Sequence, residues 1–159
     1  MAKDVKLSLN DTRILEICCR IEETSADLYR YFSEIYADNP QISALWEKTA
    51  MEEDSHAEHF RLACRLRGSG IQTLKTDINK ATAILAKIQR IYESVQKSPP
   101  AIKDALQFAI KLELFLSEYH MSTVATYEDK NLEALFSSMM KNDKDHASML
   151  EKVYKELFE

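Results

Sequence analysis

At 159 residues, 45% of them hydrophobic and 30% charged, the chain has the size and balance of one globular domain spanning 1–159. A formal net charge of -5 with no compensating basic stripe excludes the clustered Lys and Arg of a phosphate-binding surface, so no nucleic-acid partner is expected. No segment approaches the roughly 18 uninterrupted apolar residues of a membrane span, and Met1 to Asn10 is mixed and polar, without a signal-peptide pattern.

Only 2 glycines and 3 prolines punctuate the chain, which predicts a few long helices with few connections. Ser8, with Asp11 three residues on, opens a first helix over about 9–37, where Ile14, Ile17, Ile21, Leu28, Phe32 and Ile35 keep helical spacing. Asp38-Asn39-Pro40 ends it and starts a second over 40–67, with Asn39 as N-cap and Pro40 in the first helical position. That helix stops at Gly68-Ser69-Gly70, and so short a connection makes the pair an antiparallel hairpin. Thr76 or Asp77 caps a third helix over 77–96, read as a cover on the bundle or a dimer contact. Ser98-Pro99-Pro100 opens a fourth over 99–127, and a turn from Glu128 to Asn131 leads to a fifth over 131–158. Apolar alternation is missing and helix formers dominate, so no strand is predicted. The expected fold is all-α: a four-helix bundle of two antiparallel hairpins with an additional helix in the crossover.

Cys18, Cys19 and Cys64 are an odd set with two adjacent members, unlike a disulfide framework, which points to a reducing cytoplasm. They read as small core residues. No CxxC pair is present, so no zinc ribbon or rubredoxin-like iron site is expected within this chain.

The most informative feature is an internal repeat at an offset of 90 positions. It places Glu23 on Glu113, Tyr29 on Tyr119, Trp46 on Phe136, Glu53 on Asp143 and His56 on His146, without a gap. Residues three apart share a helix face, so Glu53 with His56, and Asp143 with His146, each present an oxygen and a nitrogen together. Both pairs fall on apolar seams. Buried carboxylates cost several kcal/mol, on the order given for desolvated ions, and no Lys or Arg stands at matching positions to offset them. Divalent cations would.

A Glu from each of two helices plus a carboxylate-x-x-His pair from each of the other two is the di-iron carboxylate arrangement. The predicted ligand set is Glu23, Glu53, His56, Glu113, Asp143 and His146, with Glu53 and Asp143 as the bridging candidates. Two iron ions suit these donors, and manganese or zinc would also be accepted. Glu22, about 100° away on the helix, competes with Glu23; the repeat favours Glu23. Tyr29 and Tyr119 either hydrogen-bond the ligand carboxylates or fill the core. His59 and His120 read as surface or partly buried histidines, although His120 lies seven past Glu113.

These residues resemble the erythrin domain of the rubrerythrins, within the ferritin-like superfamily. The stretch from Glu23 through Tyr29 and Tyr31 to Phe32 is similar to the family's first metal helix, and Glu53-Asp-Ser-His56-Ala57 is similar to its ExxHA segment. The resemblance covers both hairpins and implies an oxo-bridged di-iron site that reacts with peroxide or dioxygen. Asp143 departs from the usual Glu, Ile110 stands where an additional Glu is common, and the rubredoxin-like domain is absent. The expected activity is therefore reduction of hydrogen peroxide or dioxygen, with electrons from a separate donor, in a homodimer. The alternatives are a ferroxidase or iron-binding protein, and a non-catalytic metal-binding bundle.

Overall fold

The computed structural model describes residues 9–65, 71–74, 76–127 and 130–159. Five helices carry the architecture: α1 (Leu9–Ile35), α2 (Pro40–Arg65), α3 (Ile78–Lys97), α4 (Ile102–Thr123) and α5 (Lys130–Phe158). α1 packs along α2, and α4 along α5, as two antiparallel hairpins; α3, in the crossover, lies against α1. No helix among the described residues is long and apolar enough to cross a membrane.

Local chemistry sets the helix starts. Asn39 Oδ1 accepts from the Ile42 amide at 3.2 Å and its carbonyl accepts from the Ser43 amide at 2.9 Å, while Pro40, lacking an amide hydrogen, takes the first helical position. Asp77, rather than Thr76, caps α3, its Oδ1 accepting from the Lys80 amide at 2.8 Å. Ser8, Gly68-Ser69-Gly70 and Glu128 lie outside the described residues.

Contrary to the expectation of no strand, β1 (Ile71–Leu74) and β2 (Val124–Tyr127) pair antiparallel, Ile71 opposite Tyr127 and Leu74 opposite Val124. The segments Ile-Gln-Thr-Leu and Val-Ala-Thr-Tyr are rich in β-branched and aromatic residues, which favour extended backbone over continued helix. α4 accordingly ends at Thr123. The pair ties the start of the crossover to the connection between α4 and α5.

The core runs along the inner seams of all four bundle helices. Trp46 of α2 stacks on Tyr29 of α1 (ring centroids 5.6 Å apart) and tilts against Phe32 at 5.0 Å. Phe60 of α2 meets Phe136 of α5 edge-on at 5.3 Å. Two tyrosines fasten α3 and the connection after it to α1 and the turn that follows it: Tyr31 Oη donates to the Val95 carbonyl at 3.1 Å and Tyr36 Oη to the Pro100 carbonyl at 2.6 Å. With α3 on the outside of α1, the bundle's interior between the hairpins is left to side chains of α1, α2, α4 and α5.

Candidate metal centre

Apart from the small hydroxyls of Ser25, Thr49 and Ser117, the buried polar side chains among the described residues gather in one layer. There, Glu22 of α1, Glu53 and His56 of α2, Glu113 of α4, and Asp143 and His146 of α5 are all buried. Each sits at a helix position that continues an apolar stripe: Leu15, Cys18, Glu22, Ser25, Tyr29 and Phe32 on α1, and Leu106, Ala109, Glu113 and Leu116 on α4. The carboxylates are inside because the helix period carries them there.

Two donor groups share one residue. Glu53, Glu113, Asp143 and His146 offer ligand atoms within 4.8 Å of one another, as do Glu22, Glu53 and His56. His56 Nδ1 lies 3.6 Å from Glu22, 3.7 Å from Glu53 and 3.4 Å from Asp143. His146 Nδ1 lies 3.4 Å from Glu53 and 3.8 Å from Glu113. The two imidazole rings face each other, stacked with centroids 5.9 Å apart.

Electrostatics mark the layer as unsettled without a cation. Burial, then the charge of Glu22, raises the Glu53 carboxyl above its ordinary range; burial, then Glu53, raises Glu113 to about 7. Burial opposes charge on both imidazoles, but Glu22 and Glu53 push His56 up to about 11, and Glu113 and Glu53 push His146 up to about 10. Both Glu53 oxygens, Glu113 Oε2 and both nitrogens of His56 are buried without a hydrogen-bond partner among the described residues. No lysine or arginine among those residues is buried. Four carboxylates with two neutral imidazoles match the charge of two divalent cations and present only oxygen and nitrogen donors. The residues fit a metal pair.

Five of the six residues predicted from the repeat stand in this layer. Glu23 does not: its side chain is 41% exposed, pairs with Arg61 and accepts from Cys19 Sγ at 3.4 Å, whereas Glu22 is fully buried. The ungapped repeat aligns Glu23 with Glu113, but the halves slip by one residue between α1 and α4 while α2 and α5 stay in register. The signal that finds Glu22 is local, since it lies seven residues, about two turns, before Tyr29 on the same stripe. Glu22→Gln is therefore expected to remove one of two bound metals and Glu23→Gln neither, as counted by metal analysis. The reverse pattern would place the first-helix donor at Glu23.

Around the layer, Tyr29 Oη donates to Glu113 Oε1 at 2.6 Å. Burial, then the charge of Glu113, holds that phenol well above its ordinary value, so it stays a neutral donor. Tyr119 is not its mirror image; its hydroxyl meets Cys18 Sγ at 3.8 Å. His59 stands outside both groups, its ring centroid 6.3 Å from that of His56. The His120 side chain lies outside what the structure describes. Sequence reasoning missed Glu52, whose carboxylate abuts His146 Nε2.

A family model described as Rubrerythrin matches residues 13–101, more than half of the chain. The match takes in α1, α2 and α3 and with them Glu22, Glu53 and His56; Glu113, Asp143 and His146 lie beyond it. No curated protein and no solved structure matches the chain.

Proposed function

Because the chain belongs to the rubrerythrin family and closes four carboxylates and two imidazoles into one buried layer, we propose that it is a di-iron carboxylate oxidoreductase reducing hydrogen peroxide or dioxygen. The single observation that carries this reading is the pair of donor groups joined through Glu53. The ligands are Glu22, Glu53, His56, Glu113, Asp143 and His146. Bound iron would supply Lewis acidity toward the oxygen–oxygen bond and one electron per metal.

The chain's own residues do the rest. His56 and His146 must each give up a proton when they become ligands, and the surrounding carboxylates bear the compensating charge. Tyr29 holds one oxygen of Glu113, leaving the other oriented into the layer. Phe60, Phe136, Met139, Leu106 and Leu116 line the neighbouring seam positions and keep bulk water from them. Electrons come from a separate donor.

Anaerobic protein carrying two Fe(II) per chain is expected to be oxidised by one equivalent of hydrogen peroxide faster than by dioxygen, followed by stopped-flow absorbance. A rate no faster than that of free Fe(II) sinks the proposal. Uptake well beyond two irons, with dioxygen preferred, would mark an iron-storage function instead.

A further inference from the structure

The two halves of the layer are not equivalent, and the difference lies behind the imidazoles. Both histidines turn Nδ1 toward the carboxylates, so Nε2 is the outward nitrogen in each. On His146 that nitrogen meets the Glu52 carboxylate. On His56 no carboxylate among the described residues meets that nitrogen, and the neighbouring ring is His59. Glu52 is the residue before Glu53 on α2, so the backbone that places one ligand also sets the support for a histidine on the opposite hairpin.

The repeat shows the same inequality in the sequence. At the 90-residue offset that superposes Glu53 on Asp143, Glu52 falls on Asn142. Asn142 is exposed and carries an amide in place of a carboxylate. A carboxylate on the far nitrogen of a ligating imidazole fixes its tautomer and ring orientation and raises its basicity, and losing such a partner typically costs about 10- to 100-fold in metal affinity.

We propose that Glu52 is a positioning residue for His146, and that the two metal positions fill in order, the His146 position before the His56 position. This rests on the di-metal reading above and adds the sequence of loading and the residue that sets it.

The test uses the full chain, labelled with nitrogen-15 at histidine and titrated with Zn(II), a redox-silent probe of the same donors. In the parent protein the His146 Nδ1 resonance is expected to move with the first equivalent and His56 only with the second, with His146 Nε2 remaining protonated throughout. In Glu52→Gln the first step should weaken by about 10- to 100-fold and the order be lost; Glu52→Asp, which keeps the carboxylate, should recover part of it. His56 and His146 moving together in the parent protein would overturn the ordered loading, a result that needs no variant to fold. An unchanged first step in Glu52→Gln would overturn the role of Glu52. No shift at either histidine would instead remove the di-metal reading on which both depend.

Discussion

Replacing Glu53 with Gln is expected to abolish binding of both metals while raising the thermal midpoint of the metal-free protein. Glu53 is the one residue common to the two donor groups, and an amide is a poor ligand for a divalent cation, so neither position keeps its set. The stability effect has the opposite sign because Glu53 is fully buried and its carboxyl is raised above the ordinary 4.5, first by burial and then by Glu22. A carboxyl raised in the folded state carries no penalty while it is protonated in both states. Its contribution turns unfavourable as pH climbs past the unfolded value and stays so at pH 7. Gln keeps the volume and removes the charge. A gain of about 1–2 kcal/mol, on the scale of a partly relieved ion-burial penalty, corresponds to roughly 2–8 °C for a chain of this size. Calorimetry of chelator-treated protein at pH 7 and near pH 4, with metal analysis alongside, checks both halves. The midpoints should differ at pH 7 and converge in acid. Two metals retained by the variant, or a lower midpoint at pH 7, would contradict the assignment of Glu53 as a strained, shared ligand.

Some features were legible in the sequence because their cause is local. Asn39-Pro40 announces the start of α2 since an acceptor side chain followed by a residue without an amide hydrogen suits only a helix N-terminus. Glu53-x-x-His56 and Asp143-x-x-His146 could be read as paired donors because three residues of helix return a side chain to the same face. The β1–β2 pair was not legible in that way. Each segment is four residues long and neither can be stable alone; pairing depends on two connections about fifty residues apart meeting at one end of the bundle.

The position of Glu23 outside the buried layer has a different origin. Two adjacent acids are indistinguishable to a repeat, which records correspondence between halves but not which way a helix faces. The stripe through Leu15, Cys18, Glu22, Ser25 and Tyr29 does record it, because burial follows the 3.6-residue period. Glu52 was beyond either signal. Its contact with His146 joins α2 to α5, and the offset that identifies Glu53 finds Asn142 in its place. A contact between hairpins that departs from the repeat becomes visible only when the hairpins are packed.

Trp46→Ala is expected to be the most damaging substitution for folding. Trp46 is fully buried, stacked on Tyr29 at 5.6 Å and packed against Phe32 at 5.0 Å, so its ring fills the contact between α1 and α2. Truncating a buried Trp removes its transfer free energy and leaves a cavity that rigid neighbouring helices only partly close, costing about 3–5 kcal/mol. That is roughly 6–20 °C in the thermal midpoint of a chain this long. Trp46→Phe should cost far less. It retains a ring at the stack and removes the indole Nε1–H, which is buried with no hydrogen-bond partner among the described residues. Phe136, at the matching repeat position, shows that a phenyl ring suits such a seam. The alanine variant should still take up metal at low temperature, since it removes none of the six donors. Tyr29 loses the ring that steadies it, however, and Glu113 with it. Thermal melts of metal-free parent, Trp46→Phe and Trp46→Ala proteins separate these terms. An alanine variant melting within about 2 °C of the parent, a shift below 1 kcal/mol on the same scale, would mean that the Tyr29–Trp46–Phe32 contact is not what holds the first hairpin together.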